Sequence, residues 1–338
     1  MEVKIQTLTP LWTGGVDGSM DRIHETGIIG SMRWWYEAIV RGLGGSACDP
    51  SKGGCIFNAE KYRQSKAIDE RHRLKDAGLC DVCQIFGATG WKRRFIISIV
   101  DRTRPIWNQE NRMLNIRPPD RTRGWFLPPG RMGELFLKFE GDGKAIGLIS
   151  SLFLFLEKWG NIGAKPQLGY GVFKITNRGI VHKYAQHSWY EDAGIYKDKR
   201  HMNKTDTDLP DLRCFGFMCY QFQPQKGAWW TNAPGMERAS SQVQPIVTKH
   251  KTIPLAPPLK NEWRFRRWRG GRSDEMWMFG ALQLRRRGEM MRVRSKVAVS
   301  WAYPQESGWE MRGWAWLQDS RVAPRIWDLV RDESSWRS

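Results

Sequence analysis

Acidic residues are scarce in this chain. Its 338 residues carry 35 Asp and Glu against 54 Lys and Arg, a formal net charge of +19. That imbalance predicts a polyanionic partner, bound through phosphate neutralisation and counterion release. Long apolar runs are also missing. The longest, AIGLISSLFLFL at 145–156, meets Glu157 and Lys158 and is too short to span a bilayer. The opening segment MEVKIQTLTP has no apolar stretch of signal-peptide type, so the expectation is a cytoplasmic protein without a membrane partner. Six cysteines in such a compartment point to reduced or metal-bound thiols rather than a disulfide framework. The six histidines form no HExxH or HxxxH arrangement. The glycine loop GNIGAKPQLGYG at 160–171 lacks the Gly-Lys-Ser/Thr of a Walker motif. It follows a helix and precedes a strand, the reverse of a dinucleotide fingerprint, so nucleotide hydrolysis is unsupported.

Tryptophan is abundant, with 19 copies. Several lie among arginines: Trp34, Trp263, Trp268 and Trp314. Indole and guanidinium planes both stack on bases, which favours single strands over duplex. Large aromatics also fill cores, and about half of the tryptophans are assigned there.

The hydrophobic periodicity predicts a strand over 2–8, a helix over 30–43, a short helix around 60–74 and strands over 94–100 and 135–140. A helix over 144–159 and a strand over 171–176 follow. This is the β-α-β-β-α-β order of a ferredoxin-like domain. It places an N-terminal domain at 1–182, with insertions at 44–93 and 101–132, and a polar connection at 183–212. Strands at 213–223, 293–303 and 309–318 and a closing helix at 324–330 form a second domain over 213–338. A Phe-Gly, basic stretch, strand sequence at 86–100 has a weak echo at 279–303. The expected class is therefore α+β, two tandem ferredoxin-like (RRM-like) domains with inserted lobes.

Several blocks carry a family resemblance: TPLWTGG (9–15), GIIGSMRWWYEAIVRGLGG (27–45), CDVCQIFGATGWKRRF (80–95), the 160–171 loop and VSWAYPQESGWEMRGWAW (299–316). The chain resembles the RAMP superfamily of CRISPR proteins. Within it, the likeness is to the first-subunit family of the type III-B Cmr RNA-targeting effector complex. The resemblance implies a binding and assembly subunit, without catalytic activity, that contacts guide RNA and single-stranded target RNA near the 3′ part of the guide. It also implies packing against other RAMP subunits. RAMP glycine loops often carry arginines, whereas this one has only Lys165, with Gln167 as a polar neighbour.

The expected RNA-binding residues are Arg33 and Trp34 at a helix start, where free N–H groups favour phosphate. Arg41, Arg93 and Arg94 join them, as do Lys165, Gln167 and Tyr170 of the glycine loop. Arg264 and Arg267 come from the aromatic-interleaved stretch 263–272, beside a second basic stretch at 285–296. Cys80-x-x-Cys83, with Cys48 and Cys55 upstream in the same insertion, offers four thiolates for structural zinc; no other cofactor is called for. Cys214 and Cys219 are expected in a core strand. Two other functions stay open. One is a metal-independent endoribonuclease using His24, which has no evident partner, with Asp17 or Asp21 nearby. The other is a general single-stranded RNA-binding protein.

Overall fold

The computed structural model describes residues 1–15, 17–49, 52–107, 125–186, 209–223, 228–233, 236, 240–286 and 288–317. The chain starts with β1 (Glu2–Thr7), loops to α1 (Glu25–Gly42), and passes three short helices, α2 (Ala59–Gln64), α3 (Glu70–Asp76) and α4 (Cys83–Phe86). It then forms β2 (Phe95–Pro105), β3 (Arg131–Gly141), α5 (Gly143–Trp159), β4 (Phe173–Ile175) and α6 (Arg178–Tyr184). The four strands make one antiparallel sheet in the order β2-β3-β1-β4, the arrangement expected of a β-α-β-β-α-β unit.

Strand alternation decides which face of this sheet is covered. Val3, Ile5, Phe95, Ile97, Leu135, Leu137, Phe139, Phe173 and Ile175 are buried in one core with α1 and α5. Every residue of α5 from Ala145 to Leu156 is buried. A helix apolar all round is a helix covered all round, and α6 and β10 (Gly308–Trp316) also touch α5. The long apolar run is thus an interior helix. Among the described residues, no helix is long and apolar enough to cross a membrane. α5 starts at Asp142, whose carboxylate accepts from the Ala145 N–H at 2.9 Å, a helix cap.

The second half runs through β5 (Phe215–Phe222), α7 (Ser240–His250) and α8 (Ala256–Asn261). α8 continues as a π-helical turn over Glu262–Arg267. Next come α9 (Arg272–Phe279), β6 (Ala281–Arg286), β7 (Glu289–Val293), β8 (Val297–Val299), β9 (Tyr303–Gln305) and β10. Its main sheet is antiparallel in the order β5-β10-β8, with β9 on β10, while β6 and β7 form a separate hairpin. Among the described residues this is mixed α+β with antiparallel sheets. It does not repeat the strand order of the first half. The single strand expected over 293–303 is divided between the ends of β7, β8 and β9, because Tyr303–Gln305 turns back onto β10. The short helix expected around 60–74 is two helices, separated where Ser65 ends α2 and Asp69 caps α3. The closing helix at 324–330 and most of the 183–212 connection lie outside the described residues, as do 108–124 of the second insertion.

The two halves share contacts. Trp34 and Trp35 pack on Phe215 and Trp314, with ring centres 5.4–5.8 Å apart. Arg312 donates to the Glu157 carbonyl, and the Trp301 indole N–H donates to the Leu168 carbonyl at 2.8 Å. The carboxylate of Glu310 holds the second sheet. It accepts from Tyr303 and Arg312, each at 2.6 Å, and from Gln221 at 2.9 Å, so its burial is matched by partners on three strands.

Candidate nucleic-acid interface

α1 begins at Glu25, five residues before its expected start. Thr13 explains the difference. Its hydroxyl accepts from the His24 N–H at 2.9 Å and donates to the Arg22 carbonyl at 3.2 Å. Thr13 lies so close to the helix that a Cβ on Gly27 would sit 2.7 Å from its own Cβ. The glycine that lowers helix propensity here is what lets the loop before α1 fold onto the first turn.

That loop meets the second glycine loop. The Ala164 N–H donates to the Trp12 carbonyl at 2.8 Å and the Gly171 N–H to the Pro10 carbonyl at 2.8 Å. The Gly163 N–H donates to the Ser31 hydroxyl of α1 at 2.9 Å. Gly171, with φ +90°, faces the Ile162 carbonyl, which would lie 2.0 Å from any Cβ there. The loop before α1 and the 160–171 glycine loop, far apart in the chain, thus form one structure at the start of α1. Lys165 tops it, in left-handed backbone with φ 63° and its Nζ 4.0 Å from the centre of the Trp12 ring. Burial lowers the pKa of this ammonium. His24 has a partner after all: its Nε2 stands 2.6 Å from Asp21 Oδ1, and that hydrogen bond holds the Asp21 carboxyl below the usual carboxylate range. Asp17 is lowered in the same way by Ser19.

Most of the other residues expected to hold RNA are engaged inside the protein. Arg33 is in the third turn of α1, not the first, so it does not stand beside the free N–H groups of the helix start. Its guanidinium turns inward to Glu37 at 2.9 Å, the Gly87 carbonyl at 3.2 Å and Cys83 Sγ at 3.2 Å. Trp34 packs edge-on to Trp35 and Phe215. Arg41 donates to the Pro210 and Cys48 carbonyls, each at 2.9 Å. Arg93 donates to the Phe95 carbonyl. Arg94 pairs with Asp142 at 2.6 Å and Glu70 at 3.0 Å. Arg264 pairs with Glu275 and Arg267 with Glu262. Tyr170 is 1 % exposed, its hydroxyl donating to the Pro128 carbonyl, so it offers no stacking face. Gln167 accepts through its carbonyl from Lys260. Of the residues named from the sequence, Lys165 is the one whose cationic head lies against an aromatic ring of the adjoining loop. In the basic stretch 285–296, Arg292 and Arg294 are exposed.

The four cysteines of the insertion do come together. The sulfurs of Cys48, Cys55, Cys80 and Cys83 all lie within 4.8 Å of one another. Cys214 is buried as expected, but Cys219, on β5, is exposed.

Three features were missed in the sequence. Trp12 was read only as part of a loop. Lys260 lies outside both basic stretches and is buried at 1 % exposure, in the wholly buried helix α8. The third is the open face of the first sheet. Val100, Phe136 and Lys4 are paired side by side across β2, β3 and β1. Lys4 and Arg102 both stand over the Phe136 ring, at 5.5 and 4.8 Å from its centre. The polar-apolar alternation of β3 carried that signal.

A model of the RAMP superfamily matches residues 4–174, a span running from β1 into β4 and holding both glycine loops and the cysteine cluster. Comparison with curated protein sequences found no match. Among solved structures, the chain is similar to the crystal structure of Cmr1 from Pyrococcus furiosus in its apo form. The identity is 16 %, the alignment covers 94 % of this chain and 88 % of that one, and the TM-score is 0.39. With the family model extending over half of its length, from β1 into β4 of the four-stranded unit that frames the two loops, the chain belongs to the RAMP superfamily.

Proposed function

We propose that this chain is a non-catalytic RNA-binding and assembly subunit of a type III-B CRISPR RNA-guided effector complex. Its partners are guide RNA, single-stranded target RNA and other RAMP subunits. Membership of the superfamily supports the class. The resemblance of the blocks at 27–45, 80–95 and 299–316 supports the type of complex. The observation that carries RNA binding is the meeting of the two glycine loops at the start of α1, with Lys165 against Trp12 at their junction. A cation and an indole at one place suit a single strand, whose phosphates and base faces they can meet together. The Lys4–Phe136–Arg102 row is a second surface with the same chemistry. The formal charge of +19 supports strong phosphate attraction.

The test is titration of labelled single-stranded RNA with the purified protein at several salt concentrations, followed by a denaturing gel. The expected result is intact RNA, affinity that falls with salt, and a loss of about tenfold or more in the Trp12→Ala, Lys165→Ala double variant. Affinity unchanged in that variant would remove the loop junction as the site. The short His24–Asp21 contact favours one competing reading, a metal-independent endoribonuclease. Metal-free cleavage abolished by His24→Ala would replace the non-catalytic assignment.

A further inference from the structure

The lobe between α1 and β2 has almost no core of its own. Its buried cluster is Leu74, Leu79 and Cys83, with Phe57, Tyr62, Trp91 and three more cysteines partly buried around it. α2 buries no residue and α3 only Leu74. So small an apolar cluster does not hold a segment of this size; small folds of this kind need a disulfide or a metal.

The cysteines are arranged for a metal. Cys48 Sγ and Cys83 Sγ are 3.5 Å apart, and all four sulfurs fit within 4.8 Å. Four sulfurs at about 2.3 Å from a zinc ion would stand about 3.8 Å from one another. Backbone N–H groups are aimed at the sulfurs. Those of Cys48 and Cys83 point to Cys80 Sγ, and that of Cys80 points to Cys55 Sγ, each at 3.4 Å. Such donors favour thiolate over thiol. A zinc ion with four thiolates carries a net charge of −2, and a partly buried charge needs a counter-charge. Arg33 supplies one: its Nη2 lies 3.2 Å from Cys83 Sγ and 3.9 Å from Cys48 Sγ, while Nε is held by Glu37.

We infer that Cys48, Cys55, Cys80 and Cys83 bind one zinc ion in a closed structural site, and that Arg33 is its positioning residue, tying the metal-bound lobe to α1. Four protein thiolates leave no open coordination position, so the ion organises the fold and does no chemistry on a substrate. The conserved logic of outer contacts to a metal, in which a donor fixes the ligand and balances its charge, is met here by a residue from outside the lobe. This accounts for Arg33 without RNA, and it stands whether or not the chain binds RNA.

The experiment uses the full chain, expressed with zinc available and dialysed without chelator. Elemental analysis is expected to find one zinc per chain. Cys80→Ser with Cys83→Ser should lose it, and limited proteolysis should then cut first between α1 and β2. Arg33→Met should keep the metal but release it to a chelator about tenfold faster or more, with Arg33→Lys in between. Should the cysteine variants not fold, wild-type protein loaded with cobalt gives the same answer, through the intense visible bands of a tetrahedral thiolate site. Six titratable thiols without metal, two disulfides by intact mass, or iron in place of zinc would each overturn the proposal. Chelator release unchanged by Arg33→Met would remove Arg33 from it.

Discussion

The ammonium of Lys165 lies 4.0 Å from the centre of the Trp12 ring, and the lysine reaches it from a left-handed backbone with φ 63°. A non-glycine residue in that region costs about 1–2 kcal/mol, and strain of this kind gathers at functional sites. Lys165→Gly relieves that strain and forfeits a cation–π contact of about 0.5–1 kcal/mol. Glycine also loses more chain entropy on folding, about 0.5–1 kcal/mol, so the terms nearly offset and the urea midpoint of the variant should stay close to wild type. Its affinity for single-stranded RNA should fall, because the cation at the junction is gone. A variant with unchanged affinity would show that the lysine only steadies the loop.

Gly30 makes a separate test. It is an exposed residue inside α1, and nothing stands within 4 Å of where its Cβ would be. Packing therefore does not ask for glycine there, unlike at Gly27, where Thr13 does. Gly30→Ala should stabilise the protein by about 0.5–1 kcal/mol through helix propensity alone. If glycine is kept so that an RNA backbone can approach α1 beside the loop junction, the same variant should bind RNA more weakly. Stability and affinity should move in opposite directions, read by urea unfolding and by titration. A gain in stability with full affinity would place the RNA elsewhere.

These two glycines also show how far the sequence could be read. β1 to β4 and α5 were legible because alternation and a continuous apolar run are local signals. The first turns of α1 were not, because Gly27 and Gly30 argue locally against helix, and the reason for Gly27 comes from Thr13 across a loop. The cysteine cluster was legible from the Cys80-x-x-Cys83 spacing and the shared insertion. The fate of the arginines was not. Arg94 meets Asp142 and Arg41 meets the Pro210 carbonyl, 48 and 169 residues away in the chain. A basic run shows its charge in the sequence but not the distant acceptors that occupy it.

Trp34 illustrates the same point and yields a third prediction. Its ring sits among Trp35, Phe215 and Trp314, where the two halves share a core. Trp34→Ala would open a cavity there and should cost about 3 kcal/mol or more. The loss appears as a lowered urea midpoint, whereas RNA affinity of the protein that remains folded should be little changed. A stable variant with weakened RNA binding would restore Trp34 to the interface.

Lys260 gives the protein a pH dependence of definite sign. Its ammonium is buried, donating to the Gln167 carbonyl at 3.2 Å and the Ser295 hydroxyl at 2.8 Å. Burial, with a smaller contribution from the positive charge of Arg264, pulls its pKa down to about 7. In the unfolded chain the same group titrates near about 10.4. Between those values the unfolded state holds a proton that the native state has lost, so stability rises with pH across this window. Below about pH 7 both states are protonated and the full penalty of burying the charge is present. Many other groups titrate, so the quantity to measure is the difference between wild type and Lys260→Met. The variant should gain most over wild type at low pH. That gain should shrink steadily as the pH is raised from about 7 towards about 9, because burying Lys260 in its neutral form costs less as the pH nears the value at which the unfolded lysine also loses its proton. Urea midpoints taken across this range read the effect directly. A difference that does not change with pH would mean that the ammonium stays charged throughout, stabilised by its two acceptors and by the Trp125 ring 5.7 Å away.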